Sequence, residues 1–441
     1  MIPIDLPTIF SDRDAQSMLA KRAENVLSAL SEWGVGRIDE RKTVHFCGLV
    51  HHPDCGAMVF LPRESKTGNH DVDMATATLT MQALERFGAE TSKRDLEDDG
   101  EFGNPGTLSV IKRLSDDFKK NGLFTERTRV LTRNSGKPDW VSTVKREIAM
   151  PDHRGQPIFT DIRTSRAAPN NGALLAQIQA AVLKEIFAAH SWWLPGNISS
   201  SRALSTFSRP PFPRAIWAKK LDGLLPSLYS ARSLFLADYL RFYLRDTRAS
   251  QNGSFVFGVS DFHTVWETIL RETAIRWDGD QKHNWNSRLP KPTYFHADNN
   301  KQDARSRGMQ TDIILEYPTS FTIVDAKYYA ARSAESAPGW PDIAKQIFYE
   351  KALCEIVQSG TNSTIEIRSL FAFPSLTNEG PLGRAEIRHV DGSAVSSAFS
   401  QIDCCYVSVK EALAHYVNRT QGVEFSHSTD VPSSAQLDHT S

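Results

Sequence analysis

The stretch that decides the C-terminal fold is Phe321-Thr-Ile-Val-Asp-Ala-Lys-Tyr-Tyr329, an apolar run that ends in Asp325-Ala326-Lys327. Its composition and its position after the turn Glu316-Tyr-Pro-Thr-Ser320 read as a strand. Side chains alternate along a strand, so residues i and i+2 share a face. Asp325 and Lys327 therefore project into one site, and Ala326 packs on the other side. Upstream, Met309-Gln-Thr-Asp-Ile-Ile-Leu315 reads as the partner strand, and the hairpin brings Asp312 beside Asp325. Two carboxylates can hold a hard cation through oxygen atoms. Such a cation polarises a phosphodiester and lowers the pKa of bound water. Lys327 would orient that water, help to deprotonate it, or stabilise an anionic transition state. A hydrophobic substrate would not call for this concentration of charge.

The flanking segments extend the same unit. Asp261-Phe-His-Thr-Val-Trp-Glu-Thr-Ile-Leu-Arg-Glu272 is helical, with Phe262, Val265, Trp266, Ile269 and Leu270 as a buried stripe. Glu267 borders that stripe and can reach inward, although a surface ion pair is the plain alternative. Residues 278–307 are polar and read as a long loop or insertion. A helix is expected over 341–353, where Lys345 and Tyr349 share a face and Gln346 stands beside them. Lys345 or Gln346 would support the site or a nearby phosphate. Ile365–Phe373 reads as a strand, and 402–417 as a strand followed by a closing helix. Helix, hairpin, helix, strand is the order of an α/β core that carries phosphodiester chemistry.

The chain has 441 residues and 40% apolar content, enough for two or three domains. Its net charge of −1 hides a contrast: residues 108–250 hold 23 Arg and Lys against 11 Asp and Glu. A basic region of this kind suits a polyanion, with a solvated surface as the bland reading. Within it, a helix over 108–120 is followed by a strand over 123–133, the turn Asn134–Pro138, and further apolar structure over 139–146. A helix and a basic hairpin predict a small winged-helix-like unit. It would touch phosphates through Lys112, Arg113, Lys119, Lys120, Arg133, Lys137, Lys145 and Arg146, or equally hold a partner protein. Helices over 171–190 and 229–248 form a connector. At the N-terminus, apolar spacing predicts a helix over 12–33, a hairpin over 44–62 and a helix over 72–87, with a linker over 92–105. His45, Cys47, His51, His52 and Cys55 lack the spacing of a zinc finger and are expected to pack locally.

The expected domains are therefore 1–107, an α+β recognition or partner-binding region; 108–250, the basic region and connector; 251–420, the catalytic domain; and 421–441, a disordered tail. Five cysteines make no disulfide framework. The N-terminus lacks the pattern of a cleavable signal, and no apolar run approaches a membrane span, so a cytoplasmic protein is expected.

The hairpin resembles the catalytic hairpin of the PD-(D/E)xK restriction-nuclease superfamily, with Asp312 at its first acidic position, Asp325 at the second and Lys327 at the lysine. Thr311 stands where the superfamily name has proline. Phe262–Glu267 resembles the segment that supplies an upstream glutamate. More narrowly, Asp342–Glu350, Asn121–Phe124 and Gly136–Thr143 look like the LlaJI-type restriction endonucleases and their McrC-like nuclease subunits. The resemblance covers about 108–375 and implies a multidomain α+β chain. Its C-terminal part would be a restriction-endonuclease-like α/β core, a mixed central sheet flanked by helices. It also implies Mg²⁺ (Mn²⁺ as the alternative) held by Asp312, Asp325 and Glu267, with double-stranded DNA as substrate. A separate McrB-like AAA+ NTPase is implied as partner, with a homodimer for double-strand cutting as a further expectation. The chain contains no Gly-x-x-x-x-Gly-Lys-Ser/Thr loop, which places any nucleotide hydrolysis in another chain. Two other readings stay open: a repair or transposition nuclease with the same core, and a catalytically inactive DNA-binding assembly subunit.

Overall fold

The computed structural model describes residues 7–14, 37–38, 43–52, 56–94, 106–170, 173–194, 204, 207–245, 255–277, 284–298, 301–303, 308–358, 365–393, 395 and 399–425. The chain divides into two units, one holding residues 106–254 and the other joining 5–105 to 255–441. The expected helix over 12–33 lies outside the described residues except for 12–14, which turn away from strand β1 (Thr8–Ser11). The expected hairpin is present as β2 (Cys47–His52) and β3 (Gly56–Leu61), paired antiparallel, with β1 parallel to β3. Helix α1 (His70–Arg94) covers this sheet and runs seven residues past the expected end at 87, into the segment expected to be a linker.

The unit of 106–254 begins with α2 (Gly106–Asn121) and β4 (Glu126–Arg133). Here the expected hairpin is corrected. Residues 140–146 form a short helix, α3 (Trp140–Arg146), because the Asp139 carboxylate accepts the Ser142 N–H at 3.0 Å and caps it. The partner of β4 is instead β5 (Arg163–Asn170), paired antiparallel over eight residues. The β-branched residues Val141, Thr143 and Val144 favour a strand, but Trp140, Val141 and Val144 all stay exposed on α3. Helices α4 (Leu174–His190), α5 (Trp217–Leu224) and α6 (Ala231–Arg245) follow. Helix α6 packs on α2, α4 and α5, and Arg232 ties it to Asp117 of α2 at 2.9 Å.

The chain then returns to the unit that holds 5–105 through β6 (Phe255–Val259), which pairs antiparallel with β2 and completes the sheet β1-β3-β2-β6. The boundary expected near 107 is therefore a point where one unit is interrupted, since its sheet is finished by a strand that starts at Phe255. Helix α7 (Phe262–Thr273) leads to β7 (Ile313–Glu316), β8 (Ser320–Ala326), α8 (Trp340–Gln358), β9 (Glu366–Ser375), β10 (Ile402–Ser408) and α9 (Val409–Asn418). Strands β7-β8-β9-β10 and the short Arg384–Ala385 make a mixed sheet: β7 and β8 are antiparallel, and β8, β9 and β10 are parallel. Helix α8 packs on β8 and β9, and α7 on β8 and α9. This is the multidomain α+β architecture, with a C-terminal mixed sheet between helices. The tail is corrected at its start: Gly422 and Val423 donate their N–H groups to Thr273 O at 2.8 and 2.9 Å, and Val423 is buried. Residues 426–441 lie outside the described ones.

A buried carboxyl joins the two halves of this unit. Asp12 accepts the Phe46 N–H at 3.1 Å and is hydrogen-bonded to Tyr328, whose hydroxyl accepts the Arg63 N–H at 2.9 Å. Burial pushes the Asp12 carboxyl up to about 6 from 3.8, against the pull of Arg13, Tyr328 and Arg63. The folded chain thus holds this proton more tightly than the unfolded one. The stability contributed by this group is greatest below about pH 4 and falls as pH rises through about 6. Asp12→Asn removes that slope. Between about pH 4 and pH 7.5 the unfolding free energy of the variant should gain about 2–3 kcal/mol on the native chain. Denaturant titrations at both pH values test this, and a pH-independent difference overturns it.

Candidate active site

Side chains on one face of β8 change from apolar to charged along its length, and α8 matches them residue for residue. Phe321 and Ile323 pack in one cluster with Tyr349 and Leu353. One step further along the same face comes Asp325, then Lys327, and one helical turn back from Tyr349 comes Lys345. The α8 series Lys345, Tyr349, Leu353 has the four-residue spacing of a helix face. The strand series has the two-residue spacing of a sheet face. Their registry places the N-terminal turns of α8 over the polar end of β8.

Asp325 is 3% exposed. Lys327 Nζ lies 2.7 Å from its Oδ2, and Lys345 Nζ lies 3.6 Å from its Oδ1. Lys327 Nζ is also 2.6 Å from Asp342 Oδ1, and its backbone N–H donates to Ala372 O at 2.8 Å, which extends the β8–β9 pairing. Burial works against the Lys327 ammonium, but Asp325 and Asp342 outweigh it and hold its pKa above the usual lysine value. The same contest, with Asp325, Tyr349 and Asp312 on the winning side, raises Lys345. Both lysines are therefore cations at neutral pH.

Pairing of Ile313 with Val324 puts Asp312 opposite Asp325 when the register is continued. Asp312 Oδ2 accepts the Ala326 N–H at 2.8 Å. Burial first, then the carboxylates of Asp325 and Glu267, push the Asp312 carboxyl up to about 7, against the pull of the Ala326 N–H and Lys345. The charge of Glu267 on α7 contributes to that rise, and the hairpin sets Asp312, Asp325 and Lys327 side by side. Among the described residues, no three His, Cys, Asp or Glu side chains are gathered closely enough to hold a metal ion. The donor chemistry nonetheless fits a hard cation. Oxygen is the only donor offered, and the carboxylates of Asp325 and Glu267 add to burial in raising Asp312.

The supporting residues divide. Lys345 sits 5.4 Å from the Tyr349 ring centre, and the Tyr349 hydroxyl donates to Gln310 O, two residues before Asp312. Gln346 is fully buried and donates to Leu370 O at 3.2 Å, so it braces β9 beneath the site. Asp342, the second partner of Lys327, was not singled out from the sequence. Its signal was its place in the first turn of α8, three residues before Lys345. All eight residues expected to contact phosphate lie in the unit of 106–254. Lys112 and Lys119 pair with Asp116 at 3.7 and 3.9 Å, and Arg113 donates to the Tyr239 hydroxyl at 2.6 Å. Arg133 lies 3.8 Å from Glu147, and Lys120, Lys137, Lys145 and Arg146 are exposed. In the N-terminal hairpin, His45 contacts Arg13 at 2.9 Å, and burial, then Asp12, pushes the Cys47 thiol far up. Neither is presented as a zinc ligand. Cys55 and the side chains of His51 and His52 lie outside the described residues.

The sequence profile of the LlaJI restriction endonucleases matches residues 46–403, most of the chain and both of its units. The chain belongs to the LlaJI restriction endonuclease family. Another similar protein is the type II restriction enzyme BsuMI component YdjA of Bacillus subtilis (strain 168). It is 25% identical over 162 residues, 34% of this LlaJI-family chain and 33% of the relative. The chain therefore spans about a third of that relative's length. Among solved structures, a half-complex of Thermococcus gammatolerans McrB AAA+ hexamers with bound McrC aligns over 94% of this chain and 99% of its own, at 11% identity and a TM-score of 0.38. The McrBC complex of the same organism aligns over 62% and 89%, at 12% identity and a TM-score of 0.29. No helix among the described residues is long and apolar enough to cross a membrane.

Proposed function

We propose that this chain is the nuclease subunit of a bacterial DNA-restriction system, hydrolysing phosphodiester bonds at the polar end of β8. The observation that carries this reading is the buried Asp325 gripped by two lysines beside Asp312. Asp312 and Asp325, with Glu267, would hold Mg²⁺ or Mn²⁺, which when bound supplies Lewis-acid activation of the phosphate and of a water. Lys327, kept protonated by Asp325 and Asp342, faces the pentavalent phosphorane as a fixed positive charge rather than as a base. Lys345 adds a second cation at the rim. Ala326, through its N–H, fixes the Asp312 carboxylate, so the acids need little reorganisation during the reaction. The exposed basic residues of the 106–254 unit would bind backbone phosphates without reading sequence.

An AAA+ NTPase is the proposed partner, since this chain has no phosphate loop of its own and Asp342–Glu350 and Asn121–Phe124 resemble McrC-like subunits. The test is cleavage of methylated and unmethylated plasmid by the native chain, with Mg²⁺ or EDTA, with and without the AAA+ partner and nucleotide. Linearisation that needs Mg²⁺ and responds to methylation supports restriction. Binding without cutting in every combination would favour an inactive assembly subunit. Cutting confined to junctions or transposon ends would favour repair or transposition.

A further inference from the structure

Asp312 also lines a cavity of about 480 Å³, within the ordinary size range of a ligand site. Its walls include Arg271 and Arg276 from the end of α7 and beyond, Asn284 and Asn286, and Thr311 and Asp312. We infer that this cleft is a phosphate subsite, which takes the backbone phosphate of a nucleotide next to the scissile bond. The inference rests on the nuclease reading, because it needs a DNA strand lying across Asp312.

Three observations carry it. First, the charge is right. Two guanidinium groups line the cleft beside two carboxylates, of which Glu272 is paired with Arg86 and Asp312 is the acid shared with the catalytic site. Guanidinium is the group best matched to phosphate oxygens, through several N–H donors in one plane. Arg271 uses its Nε to donate to the backbone O of Asp312 at 3.0 Å, which leaves its terminal amines for a ligand in the cleft it lines. Second, the walls are set in advance. Asn286 Nδ2 donates to Thr311 O at 2.9 Å, and Asn286 Oδ1 accepts from Thr311 N at 2.9 Å. Trp285 lies edge-on to Phe321 at 5.1 Å. Third, the cleft and the acidic site share Asp312, so a phosphate held by one is a neighbour of a phosphate held by the other. Trp285 is buried and edge-packed, so the lining offers no open aromatic face for a base. The subsite would therefore grip the backbone and leave the base unread.

The test is hydrogen–deuterium exchange on the full chain, with Ca²⁺ replacing Mg²⁺ so that DNA stays whole. The probes are a duplex oligonucleotide, thymidine 3′,5′-bisphosphate and inorganic phosphate. Duplex and bisphosphate should both slow exchange in residues 268–277 and 284–289, and phosphate should do so more weakly. Arg276, whose Nη1 also donates to Ile314 O at 3.5 Å, is the residue to change: Arg276→Gln should weaken bisphosphate binding about tenfold, and Arg276→Lys less. Protection by bisphosphate but not by duplex would make the cleft a free-nucleotide site and overturn the inference. Protection by duplex only around Asp325 and Lys345 would overturn the subsite and leave the nuclease reading standing. Protection of neither region would also overturn the subsite, and Mg²⁺-dependent plasmid cleavage would then judge the nuclease reading separately.

Discussion

Asp325→Ala and Lys327→Ala should each lower metal-dependent plasmid cleavage by about 10³-fold or more. The two variants should differ in stability, and that difference ties the loss to this site. Asp325 sits between two ammonium groups. Its removal leaves Lys327 paired with Asp342, and Lys345 beside the Tyr349 ring. It also relieves the repulsion that helps to push Asp312 up. The fold should tolerate it, with a melting temperature close to native. Removing Lys327 does the opposite. Asp325 stays buried with only Lys345 near, at 3.6 Å. Breaking such a pair from one side is strongly destabilising, and with one lysine remaining the cost is about 2–3 kcal/mol. Plasmid assays and denaturant titrations on the same preparations check both halves. Cleavage that persists in either variant would place the chemistry elsewhere. Equal stability of the two would mean that Lys327 is not the charge that keeps Asp325 in place.

The site was legible in the sequence wherever it depends on local periodicity. Asp325 and Lys327 are two residues apart on a strand, and the turn at Glu316–Ser320 fixes the register that sets Asp312 opposite Asp325. Both facts follow from short-range geometry. Asp342 was not legible as a partner of Lys327, because a carboxylate in the first turn of a helix is already accounted for by the helix dipole. The same limit hid the union of the N-terminal hairpin with β6. Each strand looks complete by itself, and nothing local in Cys47–His52 names a partner some 200 residues away. Helix α3 was misread for a different reason. Its β-branched residues favour a strand, and one side-chain cap at Asp139 outweighed that preference on an exposed segment with no core to enforce it.

The pairing of β2 with β6 carries the other large effect. Gly48 and Gly258 are register partners, and at each the opposite backbone comes too close for a side chain. A Cβ on Gly48 would lie 2.1 Å from Phe257 O, and its φ of +147° already disfavours any other residue. A Cβ on Gly258 would lie 2.3 Å from Cys47 O and 2.5 Å from the Phe46 ring. Backbone cannot rotate away as a flexible side chain can, so the strands must part. Gly258→Ala should therefore destabilise the chain by about 3–5 kcal/mol, far beyond the usual cost of adding a methyl group to a strand. Gly56→Ala is the control. Unlike Gly258 it has a positive φ, +73°, and nothing lies within 4 Å of its Cβ, so only the backbone strain of about 1–2 kcal/mol should appear. Denaturant titration of the two variants separates crowding from strain. The functional consequence follows from chain order, because β6 runs directly into α7, which carries Glu267 and packs on β8. A strand pair forced apart at Gly258 should shift that helix, so cleavage should fall in Gly258→Ala even below its melting temperature, and remain native in Gly56→Ala. If the two variants cost the same, the close crossing of β2 and β6 does not exist, and the union of the two halves must rest on α1 and α9 instead.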